Sequence, residues 1–418
     1  MRILHIGRYA LGAYAAAMLA GCGGGSGTPL SPSPAGVGAE REHVRSAYSA
    51  FYSFKGYPND GAYPEAGLIN VNGTLYGTTA NGGVHCKGTY GCGTVFAITS
   101  GGETVLHSFK GYPDDGGNPD AGLINVNGTL YGTTSAGGAS GNCSGGCGTV
   151  FKITTSGREA VLHSFEGGSG NSDGYDPVAG LLNVGGTLYG TTYYGGAKGD
   201  GTVFKITTSG KETVLHSFGN SKDGHDPLAG LINVKGTLYG TTEFGGASYD
   251  GTVFSITLSG AETVLYSFAG GSDGESPEAL LLDVNGTLYG TTFSGGGTGC
   301  YGSVGCGTVF KITTSGKEAV LHSFGGSGDG YDPVAGLINV EGALYGTTEY
   351  GGAKCSPGGC GTVFAITTSG KETLLYSFGG SGDGENPEAA LLDVNGTLYG
   401  TTAGGGANNY GTAFSVSP

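Results

Sequence analysis

Gly180-Leu181-Leu182-Asn183-Val184-Gly185-Gly186-Thr187-Leu188-Tyr189-Gly190-Thr191-Thr192 decides the fold. A short apolar run with a β-branched end meets a two-glycine turn and continues into a second run of strand composition. Glycine accepts positive φ at both central positions, as a type I′ hairpin requires. A glycine-rich loop then leads to Gly201-Thr202-Val203-Phe204-Lys205-Ile206-Thr207. Ser209-Gly210 turns that run into Glu212-Thr213-Val214-Leu215-His216-Ser217-Phe218. The four runs, a to d in chain order, have strand length and are bounded by turn residues.

The same sentence is written seven times. Leu-Tyr-Gly-Thr-Thr recurs with its tyrosine at Tyr76, Tyr131, Tyr189, Tyr239, Tyr289, Tyr345 and Tyr399. Ser-Phe closes strand d at Phe54, Phe109, Phe165, Phe218, Phe268, Phe324 and Phe378, at spacings of 55, 56, 53, 50, 56 and 54 residues. Such a period calls for a repeat architecture. Between a and b stand Asn72-Gly73, Asn127-Gly128, Asn285-Gly286 and Asn395-Gly396, with Lys235-Gly236 and Glu341-Gly342 as weaker versions. The fold expected is all-β: a seven-bladed β-propeller of four-stranded antiparallel blades with strand a innermost. The blade layout resembles a kelch blade. The chain is cut in mid-sentence. Ala47 to Phe54 matches strand d, and Gly411 to Val416 matches strand c. Pairing the two would close the ring and remove a sheet edge, whereas an open array would need capping units.

Three segments are expected: a signal peptide over 1–21, a tether over 22–45 and the propeller over 46–418. Arg2 and Arg8 precede an apolar stretch that ends Leu19-Ala20-Gly21-Cys22. A charged start, an apolar middle and small residues at the end mark a secretory signal. The tetrapeptide resembles the lipobox of bacterial lipoproteins. That resemblance implies cleavage before Cys22 and its acylation, and so a membrane partner reached through a lipid anchor. Gly23, where an aspartate is absent, favours the outer membrane. The Gly, Ser, Pro and Thr residues that follow form a flexible tether.

Eight cysteines remain. They fall as local pairs, Cys86 with Cys92, Cys143 with Cys147, Cys300 with Cys306 and Cys355 with Cys360, each inside a b–c loop. Disulfides fit an exported protein. The alternative, a metal site, finds only two thiols per loop. Cysteine pairs accompany the long loops only; in the short loops Asp200, Asp250 and Tyr410 fill the slot of the second cysteine.

Strand alternation puts the a–b and c–d turns on one rim and the long b–c and d–a loops on the other. Variable loops on a rigid scaffold are where function is expected. Each d–a loop carries an aspartate: Asp60, Asp115, Asp173, Asp223, Asp273, Asp329 and Asp383. They either cap their own turns or form a carboxylate ring for a ligand or calcium. No other cofactor is expected. Tyr193, Tyr194, Phe244 and Tyr350 are loop aromatics suited to glycan or protein contact. On strand a, Asn70, Asn125, Asn183, Asn233, Asp283, Asn339 and Asp393 either line a wet channel or, the favoured reading, bond to the following turn. His107, His163, His216 and His322 share one position in strand d with Tyr52, Tyr266 and Tyr376. A position that accepts both reads as packing.

The formal charge is −15, and Arg158 is the one arginine within the propeller. No basic face exists for nucleic acid, and no arginine cluster for a sialidase-type carboxylate site. No nucleophile elbow, His-Glu-x-x-His or phosphate loop occurs.

The units Gly-Leu-Ile-Asn-Val…Gly-Thr-Leu-Tyr-Gly-Thr-Thr…Gly-Thr-Val-Phe-x-Ile-Thr…Glu-Thr-Val-Leu-His-Ser-Phe resemble the GloVer-type tandem-repeat family of bacterial surface proteins. The resemblance implies an exported protein and brings no catalytic residue. The function expected is a monomeric, lipid-anchored binding or adhesion module on the outer membrane or cell surface. The rivals are an enzyme acting on extracellular polysaccharide or phosphoesters, and an outer-membrane assembly scaffold.

Overall fold

The computed structural model describes residues 47–418 apart from 85, 87–90, 169–172, 220–221, 298–299, 301–304, 326–327, 353–358 and 380–381. The expected leader and tether, with Cys22, and also Cys355 lie outside that set.

Seven four-stranded antiparallel sheets repeat one plan. In blade three, strand a is Leu182–Val184, b is Thr187–Thr192, c is Thr202–Thr207 and d is Glu212–Ser217. Blade seven takes a, b and c from Leu392–Val394, Thr397–Thr402 and Thr412–Val416, and its strand d is Tyr48–Ser53 from the start of the propeller. Tyr48 faces Val416 and Ser53 faces Thr412 in antiparallel register. The ring is therefore closed by the strand exchange that the sequence predicts.

The core lies between blades. The phenylalanine that ends each strand d meets the strand-c phenylalanine of the next blade edge to face. Centroids are 5.1 Å apart for Phe54–Phe96 across the closure, 5.3 Å for Phe165–Phe204 and 5.2 Å for Phe218–Phe254. All seven such pairs are present, with both rings buried. Burial of each ring contributes roughly 1.5–3 kcal/mol, and the edge-to-face contact about 0.5–1.5 kcal/mol more. The glycine of Leu-Tyr-Gly-Thr-Thr makes room for that ring. A Cβ on Gly190 would stand 2.6 Å from Phe204 Cζ.

Polar groups tie the blades as well. Within each blade the second threonine of Leu-Tyr-Gly-Thr-Thr bonds the first threonine of strand c at 2.8 Å, as Thr192 does Thr202. The first threonine donates across the interface to a carbonyl of the following loop, as Thr191 does to Ala229. At the axis, successive inner loops touch. A Cβ on Gly67 would meet the Ala390 carbonyl at 3.0 Å, so the first and last blades are neighbours there too.

Strand d, the outer edge, carries a β-bulge in every blade. In blade three Val203 faces His216 and Phe204 faces Val214, which leaves Leu215 unpaired. Bulges bend an edge away from further pairing. The Leu215 carbonyl is covered by the c–d turn of blade four, where Gly260 has φ 97° and a Cβ would lie 2.5 Å from that oxygen. The a–b turns are as expected. Asn72 and Gly73 have φ 54° and 86°, and even Lys235 and Glu341 are held at 53°. The strand-a asparagines accept the amide of the turn glycine, as Asn183 Oδ1 does from Gly186 at 3.0 Å. The same bond recurs with Asp283 and Asp393.

Candidate functional site

The loop rim has its own backbone ladder, which the sequence reading missed. Each d–a loop pairs with the b–c loop that follows it. Gly174–Tyr175 pairs with Tyr194–Gly195, and Gly330–Tyr331 with Tyr350–Gly351. Single bridges His225↔Phe244 and Glu275↔Ser294 do the same in blades four and five. The glycine on the d–a side of each pair packs against a buried Thr-Thr hydroxyl: a Cβ on Gly174 would lie 2.0 Å from Thr192 Oγ1. Backbone and glycine are thus invariant, and the residue beside the glycine is free to vary. Going round the ring, the cross-loop pairs are Ala62–Asn81, Gly117–Ala136, Tyr175–Tyr194, His225–Phe244, Glu275–Ser294, Tyr331–Tyr350 and Glu385–Gly404.

Three of the four predicted aromatics, Tyr194, Phe244 and Tyr350, therefore occupy one equivalent position, each opposite an aromatic or histidine. Ring centroids are 5.4 Å apart in Tyr175–Tyr194, 5.7 Å in His225–Phe244 and 5.5 Å in Tyr331–Tyr350. Tyr193 precedes the position and serves differently: its hydroxyl donates to Glu243 Oε2 at 2.8 Å, which joins the loops of blades three and four. Burial, with the Asp176 and Asp226 carboxylates beside it, raises the pKa of the Tyr175 hydroxyl, which stays a neutral donor. Tyr194 is shifted the same way for the same reasons. An open cleft of about 560 Å³ lies next to this pair. One wall is Asn142, Cys143 and Ser144 of the long loop in blade two. The other is Tyr175 and the short loop from Gly195 to Gly199, which includes Lys198.

The disulfides shape this rim. Cys86–Cys92, Cys143–Cys147 and Cys300–Cys306 are formed. Cys360 is also disulfide-bonded, and Cys355, its expected partner, lies outside the described residues. The second cysteine fixes a carbonyl that accepts an amide from the next d–a loop: Cys147 O from Asp176 N at 3.0 Å, Cys306 O from Asp332 N at 3.1 Å. In the short loops Asp200, Asp250 and Tyr410 offer the same carbonyl without a brace.

The seven aspartates serve the loops. Asp60 is 3% exposed and accepts the amides of Gly61 at 2.7 Å and Lys55 at 2.9 Å. It also accepts the Tyr52 hydroxyl at 2.6 Å. Asp115 repeats this with Gly116, Lys110 and His107 Nε2, the last at 3.1 Å. Asp173, Asp223 and Asp329 lie 3.4, 3.2 and 3.3 Å from His163, His216 and His322. Asp273 and Asp383 accept from Tyr266 and Tyr376 at 2.7 and 2.8 Å. The contacts on view are thus those of the capping role. The shared His/Tyr position reads as packing in sequence, yet what His and Tyr have in common is a donor at the right reach. An aspartate 7 to 10 residues downstream of each was the available signal. A glutamate from strand d of the next blade approaches most of these pairs. Burial, with Asp60 second, raises Glu103 to about 7. Burial, with Asp273 second, raises Glu318 to about 7.

This geometry defines a class: a closed seven-bladed propeller whose chemistry varies at one ladder position on one rim. Residues 84–304 and 301–418 match the Gloeobacter/Verrucomicrobia repeat, and the chain belongs to that family. A search of the curated proteins finds no match. Among solved structures the chain is similar to a Bacteroides uniformis protein described as a 6-phosphogluconolactonase, with TM-score 0.46, 14% identity, and 75% of this chain and 85% of that one covered. It is similar also to the periplasmic gluconolactonase of Pseudomonas aeruginosa (TM-score 0.45, 14% identity, 79% and 93% covered). A third is the Trypanosoma rangeli sialidase (TM-score 0.45, 11% identity, 89% and 59% covered).

Proposed function

We propose that this protein is a lipid-anchored cell-envelope binding module whose loop rim holds a hydroxylated ligand of the glycan class. The observation that carries the reading is the Tyr175–Tyr194 pair, of which Tyr175 lines the cleft between blades two and three. Tyrosine faces cover the apolar C–H faces of a sugar, and their hydroxyls, Ser144, Lys198 and the glycine-rich backbone supply the polar contacts. The cleft's volume is in the range of small-ligand sites. Disulfides in the loops agree with an exported location, and the Leu19-Ala20-Gly21-Cys22 segment supplies the anchor. Glycan-array binding by the purified protein tests the reading. Tyr194→Ala should lose at least ~10-fold in affinity while the fold persists. Binding that ignores this change, or turnover of the bound glycan, overturns it. Cys22→Ser should release the protein from the membrane fraction; retention would remove the anchor from the proposal.

A further inference from the structure

We propose that the outer edge of the ring carries three sites for a divalent transition-metal ion, at the interfaces of blades one and two, two and three, and three and four. Each is built from a strand-d histidine, the aspartate of the loop leaving that strand, and a glutamate that opens strand d of the next blade. The sets are His107, Asp115 and Glu159; His163, Asp173 and Glu212; His216, Asp223 and Glu262. In each, one nitrogen and two carboxylate oxygens lie within 4.8 Å of one another. At the first, His107 Nε2 is 3.1 Å from Asp115 Oδ2 and 4.0 Å from Glu159 Oε2. Ligand atoms about 3.4 Å apart surround a tetrahedral ion with ~2.1 Å bonds, so the aspartate and histidine are nearly placed and the glutamate has to move inward to complete the set.

Two further observations point to a ligand. Glu159 Oε1, Glu212 Oε1 and Glu262 Oε1 are all buried and meet no donor among the described residues, a state they share with Glu103 Oε1 and Glu318 Oε1 beside tyrosines. The Glu159 side chain is only 11% exposed. An oxygen in that state costs free energy unless something positive meets it. The second observation is the internal control supplied by the repeat. At the closure interface the position holds Tyr52, whose hydroxyl reaches Asp60 at 2.6 Å and Glu103 at 3.2 Å. A tyrosine thus spans the aspartate and the Oε2 of Glu103, with Glu103 Oε1 still unmet, whereas histidine Nε2 has one proton, its short contact is to the aspartate, and Glu159 Oε2 stays 4.0 Å away. At three of the four histidine interfaces, two carboxylates and an imidazole converge within 4.8 Å. One nitrogen and two oxygens suit zinc, cobalt or manganese better than calcium, and three protein ligands leave room for water. The aspartate is held in advance, since Asp115 already accepts the Gly116 and Lys110 amides.

Native mass spectrometry and Co²⁺ absorption on the full chain test this. The protein should take up three Co²⁺ or Zn²⁺ ions, and H107Y should take two. H107Y/H163Y/H216Y should take none and still melt cooperatively, because tyrosine occupies that position at other interfaces. Should the triple variant fail to fold, E159Q/E212Q/E262Q keeps the His–Asp contacts and should lose the same three ions. Wild-type protein that binds no ion at micromolar free Zn²⁺, or variants with unchanged stoichiometry, overturns the proposal.

Discussion

The two rims of this ring solve the same topological problem with opposite tolerance. On the turn rim, seven a–b hairpins use one device: a strand-a Asn or Asp accepts the glycine amide, and both turn residues adopt positive φ. On the loop rim, the backbone ladder is equally regular, but the residue beside its glycine ranges from glycine to tyrosine to glutamate. The difference teaches where variation is free. A side chain at a turn must satisfy a dihedral, whereas a ladder side chain beside a packed glycine only has to project. Chemistry can therefore change on one face without touching the interfaces that hold the ring.

The largest effect should come from breaking the ring that both rims share. Deleting residues 47–54 removes strand d of blade seven and the fully buried Phe54, and leaves Thr412–Val416 as an open edge. Such an edge recruits other chains. Calorimetry should show no cooperative transition, and size exclusion should show aggregates; a deletion variant that melts like the intact protein would refute closure as the organising contact. A single interface ring comes next. Phe204→Ala empties a fully buried position packed on Phe165, at a cost of about 3–5 kcal/mol by denaturant unfolding.

Acidity should act where the rims meet at the blade edges. Burial raises Glu103 and Glu318 to about 7, and Asp176 to about 6. Unfolded, these groups titrate near pH 4. Between about pH 4 and 7 the folded chain retains protons that the unfolded chain has released, so stability falls as pH rises through that window. Melting in the presence of a chelator should therefore occur at a higher temperature at pH 5 than at pH 8, and Glu103→Gln with Glu318→Gln should narrow the difference. A rise in melting temperature toward pH 8 would reverse the assignment.

What could be read in advance follows the same division. Strands b, c and d announce themselves because Val, Ile, Thr and aromatic residues favour a pleated surface, and Asn-Gly names its turn. The closure was legible from Ala47–Phe54 because a strand d without a strand c must find one elsewhere. The loop ladder was hidden because Gly174 and Gly195 have no side chain to show periodicity, and their pairing depends on threonines of strands b and c. Tyr194, Phe244 and Tyr350 stood out as non-repeating aromatics, but their partners Tyr175, His225 and Tyr331 are defined only by a cross-loop register. The His–Asp contacts were missed for a different reason: a bulge at Leu215 sets which strand-d side chain faces the loop, and no residue type encodes it.

A gain on the turn rim sharpens the comparison further. Glu341 is held at φ 53° in a turn where four other blades use asparagine. Asparagine tolerates that region better, so Glu341→Asn should stabilise by about 0.5–1 kcal/mol. No change in the denaturation midpoint would mean that the turn dihedral is not what limits residue choice there.

The smallest effect is expected where the loop rim is asked to accept new chemistry. In blade seven the cross-loop pair is Glu385 opposite Gly404. Gly404 is not in the left-handed region, and a Cβ there would meet its nearest atoms, Asn386 Oδ1 and Glu385 Cβ, at 3.4 Å. Glu385→Tyr with Gly404→Tyr would copy the Tyr175–Tyr194 arrangement. If the position is one of presentation, unfolding free energy should move by no more than about 0.5 kcal/mol, because the new rings project from a ladder whose hydrogen bonds and neighbouring glycine are untouched. A loss above ~2 kcal/mol would show that aromatic pairs need a cavity prepared for them. In that case Tyr175, Phe244 and Tyr350 would be packing residues of their own blades, and the contrast between the rims would reduce to loop length.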